Sequence, residues 1–224
     1  MMKLGKFIVI EGIDGSGKAT QVELLSKWLS KEGRRVAFTD FPQYGQPSAH
    51  FVERYLRGEY GSAKEVGPYR ASLFYALDRY EKSPDIKRWL AEGRVVISNR
   101  YVSANMGHQG GKLAGAARDE FLAWLSNLEY DILGVPKPDV TIMLYVAPRV
   151  AQTFVDLKGK RNYTHGKKRD LHEADITHLR KAAAAYRSIA KKYGWVTINC
   201  VKGGKVLPIN EVHQRVVAAV KKFL

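Results

Sequence analysis

Five short apolar runs punctuate the chain: Lys6–Ile10, Arg35–Thr39, Arg94–Ser98, Val140–Val146 and Trp195–Cys200. They are apolar nearly throughout and separated by long segments of helical period, the pattern of strands buried on both faces of a parallel sheet. Between the first two, Val22, Leu25 and Leu29 mark one face of a helix from about Lys18 to Glu32, with Gly33 as its stop. Ile176, Leu179, Ala183, Tyr186, Ala190 and Tyr193 alternate steps of three and four, one stripe of a long amphipathic helix. A last helix opens near Pro208 and carries Ile209, Val212, Val216, Val220 and Phe223 in the same way. Strands alternating with helices predict an α/β fold, a five-stranded parallel sheet sandwiched between helical layers. Ligands of such sheets bind at the carboxyl ends of the strands, so the residues after each strand carry the functional information.

No internal repeat, low-complexity stretch or linker interrupts the 224 residues, and a single domain over 1–224 is expected. The chain is 45% hydrophobic and 26% charged, enough to build a core without staples. A lone cysteine, Cys200, excludes a disulfide within the chain and points to a reducing cytoplasm. The start of the chain lacks the pattern of a signal peptide, and the run Val140–Ala147 is too short to span a bilayer as a helix, so a soluble protein is expected. The net charge of +15 fits nucleic acid, an anionic surface or a phosphorylated small molecule. Much of it falls on helix faces (Arg180, Lys181, Arg187, Lys191, Lys192), where a solvated basic surface explains it as well.

The first strand ends in Gly12-Ile13-Asp14-Gly15-Ser16-Gly17-Lys18-Ala19-Thr20. Gly-x4-Gly-Lys between a strand and a helix is the P-loop pattern, which predicts the P-loop NTPase fold and ATP as ligand. Its glycines let successive N–H groups converge on phosphate oxygens, the helix adds its positive end, and Lys18 reaches the β- and γ-phosphates. The bland alternative is a glycine-rich turn with an incidental lysine. The residue after the lysine, where a hydroxyl would reach Mg²⁺, is Ala19, and Thr20 is rotated by about 100° along the helix. Water and carboxylates such as Asp14 are left to hold the metal.

Further clues follow the other strands. Phe41-Pro42 after the second strand sets a turn that brings Tyr44 to the cleft. Tyr75 and Arg79, four apart on a predicted helix, share a face; a ring there stacks on a base while a guanidinium donates to its carbonyl. Equally, Tyr75 belongs to the core and Arg79 to an ion pair with Asp78 or Glu81. Arg100 stands directly after the third strand, with a planar fork suited to phosphate. Asn105 offers the donor and acceptor that a pyrimidine edge requires.

Glu11-Gly-Ile-Asp14-Gly-Ser-Gly-Lys18, Phe41-Pro42-Gln43-Tyr44, Tyr75-Ala-Leu-Asp78-Arg79 and Asn99-Arg100-Tyr101-Val-Ser-Ala-Asn105 stand in the order and spacing of thymidylate kinases. Pro136-Lys-Pro-Asp139 and Arg169-Asp170-Leu-His-Glu173 extend this resemblance over essentially the whole chain. The resemblance implies transfer of the ATP γ-phosphoryl group to dTMP with Mg²⁺, in a homodimer packed through helices. It makes Lys18, Arg100, Asp14 and Arg169 catalytic and Asp14 the metal ligand. Residues Gly12 to Thr20 with Arg161 would bind ATP. Asp14, Phe41, Pro42, Tyr44, Tyr75, Arg79, Arg100, Asn105, His108 and Gln109 would bind the acceptor, with Tyr75 and Arg79 on thymine. His108 sits where the family often has an aromatic near the sugar. Two positions depart from the pattern: Ala19, and Asn99 where the family usually has Asp before the arginine.

Lys158 to Arg169 holds six basic residues in twelve, with two glycines. Taken alone it is a solvated charge run, an RNA-binding patch, or a lid closing over ATP at about 157–170. Gly15-Ser16 leaves the P-loop uncharged, so the chain resembles the thymidylate kinases whose lid supplies the arginines. Three other readings remain at this level: a kinase of another monophosphate, a nucleoside kinase with Glu11 as base, and a basic nucleic-acid-binding ATPase or a relative that has lost catalysis.

Overall fold

The computed structural model describes residues 5–156, 176–203 and 205–224. The basic segment 157–170, with Arg161 and Arg169, lies outside the described residues. The sheet is formed by β1 (Lys6–Glu11), β2 (Val36–Asp40), β3 (Val95–Asn99), β4 (Val140–Tyr145) and β5 (Val196–Asn199). All neighbours are parallel, in the order β2-β3-β1-β4-β5. Each strand falls within a residue or so of its predicted span. Central β1 explains the unbroken apolar run: Ile8 is bracketed by Ile97 and Val140, and side chains leave the strand on alternate faces. Ile8 and Ile10 pack with Val22, Leu25 and Leu29 of α1 (Lys18–Lys31) and Val216 of α8 (Ile209–Val220). Phe7 and Val9 pack on the other face with Ile86 of α3 (Ala63–Ala91), Phe121 of α5 (Gly115–Ser126) and Ile189 of α7 (Ile176–Lys192). Each such side chain, fully withdrawn from water, contributes about 1.5–3 kcal/mol.

The predicted helices stand, but among the described side chains two positions on their stripes do not enter the core. Ile209 lies at the first residue of α8, short of the sheet, and Tyr193 just beyond the end of α7; both are exposed. A short antiparallel pair, β6 (Val201–Lys202) and β7 (Lys205–Val206), follows the sheet and was not foreseen.

Between β2 and β3, α2 (His50–Arg57) and α3 build a satellite cluster of Val52, Tyr55, Leu56, Val66 and Ala71. Ser62 and Glu65 cap α3 reciprocally, and the helix breaks at Gly67 ahead of Pro68. After β3 comes the short α4 (Val102–His108), and after β4 comes α6 (Pro148–Asp156). Alpha-helical pairing relaxes to a π-type turn at Asn127–Ile132, directly after α5, and Glu129 there is fully buried. Among the described residues no helix is long and apolar enough to cross a membrane.

Candidate active site

The carboxyl ends of β1, β2 and β3 open onto a cavity of about 210 Å³. At one side lies the P-loop. Gly17 has a left-handed backbone and no side chain caps α1, whose first turn contains no acidic residue. The uncapped N–H groups and the helix dipole therefore present a positive surface for phosphate. The Lys18 ammonium, almost wholly buried, donates to the carbonyls of Gly12 (2.9 Å) and Ile13 (3.0 Å), which pins it across the loop. Gly15 has φ of 81°, and a Cβ there would sit 2.0 Å from the Ala151 carbonyl oxygen of α6. The absence of a side chain at this point is thus enforced by the neighbouring helix.

Arg100 holds the middle of the cavity. Its φ of 65° is the one positive value at a non-glycine residue among those described, a strained backbone of the kind that collects at functional sites. The guanidinium donates to Asp14 Oδ1 (2.6 Å) and to His108 Nε2 (3.0 Å). Because arginine is only a donor, Nε2 accepts and the His108 proton sits on Nδ1. Burial disfavours the Arg100 charge, but Asp14, Tyr186 and Glu11 more than offset this and hold it protonated. Beneath it, buried Glu11 accepts from the Gly12 amide (3.0 Å), Ser103 Oγ (2.8 Å) and Tyr186 OH (3.0 Å). Burial first, then the Glu11 charge, pushes the Tyr186 phenol well above its ordinary range, so it remains a donor.

The far side of the cavity carries Tyr75, Arg79, Asn105 and Gln109. Arg79 is 1% exposed and forms a two-armed pair with Glu129, its Nε lying 2.9 Å from Oε2 and its Nη2 meeting Oε1. Nη1 approaches the Tyr101 carbonyl at 3.4 Å. The ion pair predicted with Asp78 or Glu81 does not form. Asp78 is buried instead under Gln43 and Ser48, whose hydroxyl donates to it at 2.6 Å. Asn105 Nδ2 donates to the Ser72 carbonyl (3.2 Å), which fixes the amide and leaves Oδ1 as its acceptor. The Gln109 Oε1 acceptor is buried without a hydrogen-bond partner, as befits a group awaiting a ligand donor.

The family model for thymidylate kinase matches residues 10–216. The chain belongs to the thymidylate kinase family. A thymidylate kinase of Mycobacterium tuberculosis (strain H37Rv) is 35% identical over 203 residues, which covers 90% of this chain and 92% of that protein. A probable thymidylate kinase of Pyrobaculum aerophilum is 35% identical over 195 residues, 86% of this chain and 87% of that one. The solved thymidylate kinase of Candida albicans has a TM-score of 0.72 over 98% of this chain and 92% of its own, at 22% identity, a likeness of fold. This kinase of the family is accordingly a nucleotide-binding phosphotransferase with ATP as co-substrate.

Of the family positions named from sequence, Asp14, Gly15, Gly17, Lys18, Ala19, Phe41, Pro42, Tyr44, Tyr75, Arg79, Arg100, Asn105, His108 and Gln109 all line this one cavity. Gly12, Ile13 and Ser16 lie buried behind the loop, and Thr20 is exposed on α1 away from the lining, so it does not take over for Ala19. Glu11, considered as a base for nucleosides, is fully buried and engaged by three donors. That arrangement makes it a hub of the framework. Sequence reading missed Asp40, which lines the cavity at the end of β2, and Glu129 and Tyr186 behind it. Asp40 occupies a strand's carboxyl end, a position the fold marks for attention. Glu129 lies in no motif.

The kinase family implies Mg²⁺. Among the described residues no group of three or more His, Cys, Asp or Glu is gathered to cage a metal. Asp14, Asp40 and Asn99 all line the cavity and offer hard oxygen donors. This hard-oxygen set fits Mg²⁺, which is typically held by one or two carboxylates, substrate phosphates and water.

Proposed function

We propose that the chain transfers the γ-phosphoryl group of ATP to dTMP, giving ADP and dTDP, within one domain spanning 1–224. The observation that carries this reading is the shared cavity. Lys18 of the P-loop, Arg100, the Tyr75 ring, the Arg79 guanidinium and the amides of Asn105 and Gln109 all line it. ATP phosphates lie on the P-loop amides, with Lys18 on the β- and γ-phosphates. Arg100, oriented by Asp14 and His108, grips the acceptor phosphate, and Tyr44 reaches the same side. Tyr75 stacks on thymine, Arg79 donates to a base carbonyl, Asn105 Oδ1 accepts from the single ring N–H, and Gln109 lines the same pocket. Phe41 and Pro42 wall the pocket.

An acceptor oxygen attacks the γ-phosphorus in line, and the bond to the β,γ-bridging oxygen breaks. Because that oxygen is already anionic, no general base is required, and the site's work is positioning and charge neutralisation. The cavity carboxylates, Asp14 named from sequence and Asp40 beside it, would hold Mg²⁺ together with the phosphates, and the ion would supply further charge neutralisation there. The family resemblance would have Arg161 and Arg169 of the basic segment at about 157–170, outside the described residues, supply further positive charge over ATP.

An ADP-release assay with dTMP, dUMP, UMP, CMP and thymidine tests the acceptor; equal turnover of all five would reject it. Lys18→Ala should abolish turnover with the circular dichroism spectrum unchanged, and substantial residual activity would reject the mechanism.

A homodimer is also proposed. Tyr69, Leu73, Leu77 and Tyr80, each at least 40% exposed, step along one face of α3 beside exposed Phe51 of α2. Such a contiguous apolar stripe is a docking face, and light scattering on Leu77→Lys against wild type checks it. The lone, buried Cys200 supports a reducing, cytoplasmic location.

A further inference from the structure

Asn99 is a departure from the family pattern with a structural counterpart beside it. In the β2–β3 register Asp40 is paired with Asn99, each the last residue of its strand at the cavity. Asn99 Nδ2 donates to Asp40 Oδ1 at 2.9 Å. A carboxylate therefore stands one strand over from the position where it was expected, aligned by the residue that replaced it. The Asn99 amide oxygen is buried without a hydrogen-bond partner. Burial pushes the Asp40 carboxyl up, and the Asn99 hydrogen bond with the charges of Arg100 and Lys18 acts against this. Asp14 is less available for a metal, because its Oδ1 is held by Arg100 at 2.6 Å. A carboxylate lining a cavity that receives polyphosphate is well accommodated when a divalent cation lies between the two anions.

We propose that Asp40 is the carboxylate that holds the nucleotide-bound divalent cation, with Asn99 as the residue that positions it. Mg²⁺ accepts such a single carboxylate together with phosphate and water oxygens. The proposal rests on the kinase reading of this cavity but not on the identity of the acceptor. It assigns the role by charge rather than by strand, so exchanging the two residues should preserve it.

The test is a Mn²⁺ titration of the full-length protein with the non-hydrolysable β,γ-imido analogue of ATP, followed by the paramagnetic signal of free Mn²⁺. Asp40→Asn should weaken Mn²⁺ binding about 10- to 100-fold, as loss of a metal-site partner does. The swap Asp40→Asn with Asn99→Asp should recover most of that loss. In EDTA, Asp40→Asn should bind the analogue as tightly as wild type or more tightly, because the uncompensated repulsion is gone. Unchanged Mn²⁺ affinity in Asp40→Asn, a swap that recovers nothing, or an equal loss of analogue binding in EDTA would each overturn the proposal. A wild-type protein that binds Mn²⁺ as expected yet forms no dTDP would count against the dTMP reading alone.

Discussion

Replacing Glu129 by Leu removes the carboxylate that meets the Arg79 guanidinium in its two-armed pair, at a point where the two side chains are 1% and 0% exposed. The guanidinium cannot shed its proton, so the variant must bury an unpaired charge or drag it towards water. Breaking such a pair from one side costs about 3–5 kcal/mol. A whole domain is stable by about 5–15 kcal/mol. With about 2–4 °C per kcal/mol at this chain length, the melting temperature should fall by about 6–20 °C. The double variant Arg79→Met with Glu129→Leu replaces the pair by apolar side chains and should recover most of that loss. It should nevertheless bind dTMP far more weakly than wild type, while ATP binding changes little. Urea melts followed by tryptophan fluorescence, with calorimetric titration of each nucleotide, read both effects. A loss below about 1 kcal/mol in Glu129→Leu would show that the pair is solvated like a surface bridge. Retained dTMP affinity in the folded double variant would show that Arg79 does not read the base.

Gly15→Ala forces a side chain against the Ala151 carbonyl at a left-handed backbone position, and should raise the KM for ATP well before that for dTMP. Burial lowers the Lys112 ammonium from 10.5 to about 8. Below that value the lysine is charged in folded and unfolded chains alike and its burial cost stands in full. Between about 8 and 10.5 the unfolded chain keeps more protons, so stability rises with pH in that window. Lys112→Met should flatten this rise when urea midpoints of the two proteins are compared. Burial pushes the Cys200 thiol up to about 11, so iodoacetamide at neutral pH should leave the native chain unmodified and label it only after denaturation.

The sheet was legible because its central strands β1, β3 and β4 are buried nearly throughout, which leaves each as an almost unbroken apolar run, while the edge strands β2 and β5 are half exposed but still β-rich. The cavity was legible where function dictates local spacing, as in the P-loop, or places Tyr75 and Arg79 one helical turn apart. What escaped were groups brought in by tertiary pairing. Glu129 comes from a π-type turn fifty residues beyond Arg79 in sequence, and no periodicity links them. Tyr186 looked like one more apolar position on the stripe of α7, and its ring is indeed buried there. Only its hydroxyl, seeking a partner away from water, distinguishes it from a phenylalanine. Asp40 sat in plain view but was overshadowed by Phe41-Pro42 directly after it.

The Glu11 carboxylate joins four parts of the molecule: the donor loop through the Gly12 amide, α4 through Ser103, α7 through Tyr186, and Arg100 nearby at 4.0 Å. A Cβ on Gly107 would lie 2.3 Å from the Tyr186 ring, so the helix carrying the phenol is also docked by shape. These positions therefore do not vary independently. A library that changes them one at a time will find each intolerant, while combinations that alter carboxylate, hydroxyl and ring together open sequence space that single steps cannot reach. Anyone grafting a different acceptor pocket onto this scaffold should treat Glu11, Ser103, Gly107 and Tyr186 as one heritable unit and leave diversification to the cavity wall.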